Sequence, residues 1–184
     1  VPSRDNGQAL AEALYPRVSE ILTSMGLRKA LPDLPAIAWG RARGSAVHKA
    51  IELYERGELD PSALHADVIG PFTAYLTFKQ ETGYTPEAVE EPVYHRGLRY
   101  RGTLDSRGVY KGEMAILDFK CGTPDLKLAA LQLGAYANAW CHTEKEGFPE
   151  HMPPRYVNQL GDGGYRVHAV ASWPAVTLFE AAVQ

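Results

Sequence analysis

The part of this sequence that could carry chemistry is YRGTLDSRGVYKGEMAILDFK, residues 100–120, which contains Asp105, Asp118 and Lys120. Asp118 follows Ala115-Ile116-Leu117, and Phe119 stands between it and Lys120. Such an apolar run marks a buried strand. Side chains two apart on a strand share a face, so Asp118 and Lys120 point the same way. Asp105 falls at the end of a preceding strand, and a hairpin can set it beside Asp118. Two carboxylates brought together repel unless a cation lies between them. Their hard oxygens suit Mg2+ or Mn2+. Such an ion polarises a phosphoryl oxygen and lowers the pKa of bound water. A lysine beside it can orient or deprotonate that water, or steady charge building on a phosphate. The set would suit hydrolysis of a phosphodiester. A D-x-K triplet by itself is equally the solvated face of a strand. The apolar run separates the two readings, because charges at the end of a buried strand are costly unless paired or metal-bound.

The elements that must position these residues are legible as patterns. Residues 7–26 read as a helix and its flank, broken at Pro16, and a Pro-rich loop comes next, through Pro32 and Pro35. Residues 38–56 are helical in pattern, with Val47, Ile51 and Tyr54 on one face and Gly57 as the stop. Residues 61–82 are a further helical stretch ending near Gly83. The texture then changes to strands at 88–94, 98–105 and 114–120, with 106–113 as the connection that Gly108 and Gly112 allow. Residues 122–125 form a turn and 126–143 a helix. A loop at 149–154 precedes a last hairpin, 155–160 and 165–171, turning at GDGG, and residues 174–183 read as a helix. This order predicts a single α/β domain over 1–184, with a central mixed β-sheet flanked by helices and a helical N-terminal portion.

Composition sets the outer limits. The 184 residues can bury a core without disulfides or structural metal. No run of about 18 apolar residues exists, so no membrane span is expected. The opening VPSRDNGQAL lacks the charged-then-apolar pattern of a secretory signal, and without an initiator Met it reads as a trimmed start. The two cysteines, Cys121 and Cys141, are too few for a four-cysteine zinc or iron–sulfur site and read as free thiols of a reducing cytoplasm. Net charge is −3, from 19 Lys+Arg against 22 Asp+Glu, which argues mildly against a nucleic-acid partner. The distribution tempers this. Arg41, Arg43 and Lys49 form one basic cluster, and Arg96, Arg99, Arg101, Arg107 and Lys111 another. A basic groove on an acidic protein and two solvated faces fit that distribution equally.

Four motifs in order give the sequence a family look. They are Arg43-Gly44-Ser45-Ala46-Val47-His48-Lys49 on a helix, Gly102-Thr103-Leu104-Asp105, Asp118-Phe119-Lys120, and Gln132-Leu133-Gly134-Ala135-Tyr136 on a later helix. Over residues 40–140 the chain resembles the PD-(D/E)XK nuclease superfamily, and within it the RecB-like exonuclease branch, as a small phage-type member. The resemblance implies a restriction-endonuclease-like core. It implies that His48, Asp105, Asp118 and the backbone carbonyl of Phe119 bind metal, with Asp105, Asp118 and Lys120 catalytic. It also implies an acidic metal-side residue on the strand before Pro92, for which Glu90 matches better by its distance from the proline and Glu91 is the alternative. Gln132 and Tyr136, four apart on one helix face, would contact DNA or brace the site. A histidine ligand is more natural for Mn2+ than for Mg2+, so Mn2+ is expected to work at least as well.

The activity that this resemblance implies is that of a metal-dependent deoxyribonuclease, an exonuclease on DNA ends or single strands in recombination, repair or phage DNA processing. It would act in the cytoplasm of a bacterium or infected host cell, with protein partners in recombination or replication. Arg41, Arg43, Ser45, Lys49, Arg99 and Arg101 would line the DNA path, and Tyr136 or Trp39 could stack on a base. The chain departs from many relatives in lacking the cysteines of an iron–sulfur cluster, and in having Cys121 where a threonine often stands after the lysine. Two other readings stay open: a catalytically inactive DNA-binding or assembly module on a nuclease fold, and a hydrolase of a smaller phosphate ester in a closed pocket.

Overall fold

The computed structural model describes residues 14–29, 32, 34–144, 152–170 and 179. In chain order its helices are α1 (Val18–Ser24), α2 (Pro35–Glu55), α3 (Ala66–Thr82) and α4 (Leu126–Glu144), with a short 3-10 turn at Pro61–Ala63. The strands are β1 (Thr85–His95), β2 (Tyr100–Tyr110), β3 (Glu113–Lys120), β4 (Arg155–Gly161) and β5 (Gly164–Ala169). Pro35 opens α2 because its missing N–H costs nothing at a first helical position. Gly57 and Gly83 end α2 and α3 with φ of 72° and 67°, the left-handed region open to glycine. The helix expected at 174–183 lies outside the described residues except for Phe179, as does the part of the first expected helix before Leu14. No helix among the described residues is long and apolar enough to cross a membrane.

The five strands form one mixed sheet in the order β1-β2-β3-β4-β5. Neighbours run antiparallel except β3 and β4, which are parallel and joined by the α4 crossover. Helices cover both faces. On one side Val18 and Leu22 of α1 and Leu133, Ala137 and Trp140 of α4 pack on Leu104, Ile116 and Val157. On the other, Val47 and Ile51 of α2 and Phe72, Tyr75 and Phe78 of α3 pack on Ala115, Leu117 and Phe119. The alternation along β3 therefore assigns Phe119 to the α2–α3 side and Asp118 and Lys120 to the α4 side.

Two sequence expectations need correction here. The β2–β3 connection is not residues 106–113. β2 runs on to Tyr110, and the turn is Lys111-Gly112, both at positive φ (55° and 83°) as a tight two-residue hairpin requires. Gly108 sits inside the strand, where an added Cβ would collide with the Thr85 carbonyl beside a register shift in β1. Asp105 is accordingly in the middle of β2 rather than at its end.

Its position is still a boundary. β2 pairs with β1 as far as His95↔Tyr100, but its pairing with β3 stops at Ser106↔Leu117. β3 continues alone on that side to Lys120, paired with β4. The sheet forks between β2 and β3, and the first positions past the last rung are Asp105 and Asp118.

At the far end of β1 the buried His95 stacks on His142 of α4, with ring centroids 4.2 Å apart and 6° between planes. Its Nδ1 accepts the Leu98 backbone N–H at 3.0 Å, so the neutral ring is the form that fits. Burial and the neighbouring His142 lower its pKa from 6.5 to about 4. A histidine whose folded pKa is depressed stabilises the fold fully above its unfolded value and loses that contribution as pH falls. Urea midpoints should therefore drop as pH is lowered from 6.5 toward 4. The drop should be shallower in His95→Asn, whose amide oxygen can still accept the Leu98 N–H. Parallel pH profiles for the two proteins would rule His95 out as the cause.

Candidate metal centre

Three elements converge on the fork. In α2, the burial of Val47, Ala50 and Ile51 fixes the helix rotation and turns His48 toward the open strand edges. β1 supplies Glu90, held at φ 49°, where non-glycine residues are uncommon. The pairs Val89↔Ser106 and Glu91↔Leu104 bracket it, so Glu90 stands across from Asp105 of β2.

His48 Nδ1 lies 3.2 Å from Glu90 Oε1 and 3.6 Å from Asp105 Oδ1. Its Nε2–H donates to the Phe119 carbonyl at 3.0 Å, since a carbonyl can only accept. Potential ligand atoms of His48, Glu90 and Asp105 all lie within 4.8 Å of one another. Burial alone would lower the His48 pKa, but the Asp105 and Glu90 carboxylates outweigh it and raise it to about 9. The other Asp105 oxygen, Oδ2, accepts the Phe119 backbone N–H at 2.7 Å.

Asp118 and Lys120 stand on the α4 side of the same opening. Lys120 Nζ donates to Asp118 Oδ1 at 2.7 Å, while Asp118 Oδ2 is buried with no hydrogen-bond partner among the described residues. Burial is the largest influence on Asp118 and pushes its pKa up, against the pull of Lys120. Burial works against the Lys120 ammonium too, but the Asp118 and Asp105 charges prevail and hold it protonated well above the ordinary lysine value. Tyr136 of α4 lies against this pair. Its hydroxyl accepts from Gln132 Nε2 at 2.7 Å, and its ring packs against the β2 backbone at Gly102. Any Cβ at 102 would overlap that ring, which gives the glycine a steric reason.

These residues suit a hard divalent cation. His48, Glu90 and Asp105 present one imidazole nitrogen and carboxylate oxygens to one space. The His48 Nε2–H bond to a carbonyl is the arrangement that orients a ligating imidazole. The partnerless Asp118 Oδ2 is an acceptor that a cation would satisfy. The Phe119 carbonyl is engaged with His48 and keeps a second lone pair.

Of the other residues singled out by sequence, Ser45 lines a cleft of about 310 Å³ at the mouth of the His48–Glu90 side, with Gly44, Lys49 and Glu52. Arg41, exposed, is two turns before His48 on the same helix face. Arg43 is committed elsewhere. Its Nε donates to the Asp67 carbonyl at 2.8 Å and its Nη2 pairs with Asp162 at 2.6 Å, fastening the β4–β5 turn to α2 and α3. Trp39 is 53% exposed with the Arg43 guanidinium above its ring, so it is not a core residue. Glu91 pairs with Arg107, which leaves Glu90 as the acidic residue at His48. Arg107 also pairs with Glu87, and Lys111 sits over Tyr110 and Tyr156 at the distant hairpin turn, so the second basic cluster of the sequence does not form one patch. Arg101 lines a separate cleft with Arg17, a residue that no sequence pattern singles out.

No protein-family model and no curated protein matches this chain. Among solved structures it is similar to the alkaline exonuclease LHK-Exo from Laribacter hongkongensis, at 10% identity and a TM-score of 0.42, over 98% of this chain and 78% of that one. It is also similar to the protein SSO0001, at 10% identity and a TM-score of 0.40, over 97% and 84% of the two chains. Similarity this distant does not bear on the chemistry of the fork, which rests on the chain's own residues.

The contact between Gly102 and Tyr136 is directly testable. Gly102→Ala should lower stability by about 1–3 kcal/mol through overpacking. Combining it with Tyr136→Leu should recover part of that loss, as two residues in contact do in a double-mutant cycle read by urea denaturation. Strict additivity would show that the ring does not lie on the backbone there.

Proposed function

We propose that this chain is a divalent-metal-dependent deoxyribonuclease of the PD-(D/E)XK type, RecB-like, that hydrolyses DNA phosphodiester bonds as an exonuclease on ends or single strands. The observation that supports this best is the convergence of His48, Glu90 and Asp105 beside the buried Asp118–Lys120 pair.

His48, Glu90, Asp105 and Asp118 would hold Mg2+ or Mn2+, with the Phe119 carbonyl close by. When bound, that ion supplies Lewis-acid polarisation of a phosphate oxygen and a bound water of lowered pKa. The protein's own groups have separable tasks. Asp105 fixes the Phe119 amide and so keeps β3 in register with the site. His48 uses one ring nitrogen to stay oriented and offers the other to the cluster. Lys120 is held as an ammonium. Beside the ion it would orient or deprotonate the water, or oppose charge building on the phosphate. Its side chain is 34% exposed, whereas Asp118 beside it is buried. Tyr136 and Gln132 brace the α4 side. Arg41 and Ser45 flank the opening where a phosphate backbone would pass, and Arg101 stands about 13 Å further along β2 from Asp105.

End-labelled single- and double-stranded oligonucleotides and a closed circle, digested with Mn2+ and with Mg2+, test this reading. Label should be released from ends while the circle survives. Lys120→Ala should cut the rate by about 10²–10³-fold, with circular dichroism checking that the variant folds. His48→Ala should change the metal dependence. Equal digestion by the parent and Lys120→Ala would mean a contaminating activity and leave an inactive DNA-binding module as the better description. Cutting of the circle would overturn the exonuclease assignment alone.

A further inference from the structure

The β1–β2 arm carries a second cleft, which does not include His48. It has a volume of about 220 Å³ and is lined by Arg17, Ser19, Arg101, Gly102, Thr103 and Tyr136. The two arginines come from positions 84 apart in sequence and are brought together by backbone. Arg17 and Arg101 form a parallel β-bridge, and the Arg101 N–H donates to the Pro16 carbonyl at 3.0 Å. Arg101 Nε donates to the Tyr15 carbonyl at 2.8 Å, which aims its guanidinium and leaves its two terminal nitrogens without an acceptor among the described residues. The Glu20 carboxylate nearby is taken up by the Arg17 backbone N–H at 2.8 Å. Among the described residues neither guanidinium has a carboxylate within ion-pair distance. Two guanidiniums thus line one cleft with no ion pair among the described residues, on a protein of net charge −3. Holding cations together in this way is unfavourable without an anion. The hydroxyls of Ser19 and Thr103 add neutral donors to the same cleft.

We infer that Arg17, Arg101, Ser19 and Thr103 form a phosphate-binding pocket that grips the strand being cut. The inference rests on the nuclease reading for its substrate but not for its chemistry. Arg101, Thr103 and Asp105 alternate along one strand and so lie on one side of it. Thr103 is about 7 Å from Asp105 by strand rise, and Arg101 about 13 Å. A phosphate held here would lie a short way along the strand from the cluster at the fork. The paired planar guanidiniums favour phosphate oxygens over single-point anions. Two phosphates offer the same chemistry: the monoester at a strand terminus and an internal diester.

Binding without catalysis separates these sources. Fluorescence anisotropy in EDTA, on the full chain, would use one oligonucleotide with a 5′-phosphate, a 3′-phosphate or hydroxyl ends. Arg17→Ala is the main variant, because its side chain is exposed and its capping contact is made by backbone. Arg101→Ala also removes the Tyr15 contact and serves as the second variant. Each loss should weaken binding on the order of 10-fold, and should flatten the salt dependence by roughly 0.7 in log–log slope. Arg17→Lys should restore part of the affinity. A terminal pocket shows a preference for one phosphorylated end that Arg17→Ala abolishes. An internal pocket shows equal weakening for all three ends. Wild-type affinity and salt slope in both variants would overturn the pocket. Because this readout needs no metal, it stands or falls separately from the digestion experiment.

Discussion

A single side chain joins two strands where their own hydrogen bonding has stopped. Past Ser106 the β2 backbone has no β3 partner, and the Phe119 amide of β3 would be left without an acceptor on that side. Asp105 Oδ2 supplies one at 2.7 Å. A buried amide left unpaired costs about 1–3 kcal/mol, and a carboxylate acceptor makes a stronger bond than a carbonyl. One carboxylate thereby holds the fork at a fixed opening. It also fixes where its second oxygen points, toward His48. Phe119 is bound on both sides of its peptide, by Asp105 at the nitrogen and by His48 at the oxygen. Strand geometry and site geometry here are the same set of bonds.

The charges around that fork are tolerable only as an ensemble. Asp118 is buried on the α4 side of the sheet, and an isolated carboxylate in that position would be strongly disfavoured. Lys120 compensates one oxygen, and the other has no partner among the described residues. On the opposite side, Glu90 and Asp105 share the His48 imidazole. The arrangement is balanced by proximity rather than by neat pairs. Breaking a buried pair by removing one member is more disruptive than replacing both with apolar groups. The strain at Glu90, at positive φ, belongs with these charges, because the backbone there gives up an ordinary strand conformation and the carboxylate reaches the cluster.

How much of this was readable before the fold was known depends on the range of the interaction. Asp118 and Lys120 are legible as same-face neighbours because strand alternation is local, and the apolar run around them marks the strand as interior. The mixed sheet and the α4 crossover rest on patterns of similar range. The extent of β2 does not, since Gly108 and Gly112 look alike as turn residues. Only one of them turns the chain. The other makes room for a carbonyl across the sheet. The sequence favours Glu90 over Glu91 only by distance from Pro92, and the ion pair that Arg107 makes with Glu91 from the next strand is not legible there. Arg43 reads as a free cation until the fold brings Asp162 to it over 119 positions. The proximity of Arg17 to Arg101 depends on a backbone bridge with no sequence signature at all.

Two of the sheet's hairpin tips are held very differently. The β4–β5 tip is seated between α2 and α3, with Asp162 against Gly70 and clasped by Arg43. At the β2–β3 tip, Gly112 has open space around it and the neighbouring Lys111 is exposed. Exposed tips of small and polar residues tolerate added chain best. Lys111-Gly112 is therefore the natural attachment point for a surface tether, a fluorophore or an inserted peptide tag. The same graft at Asp162 would pry the helix carrying His48 away from its neighbours.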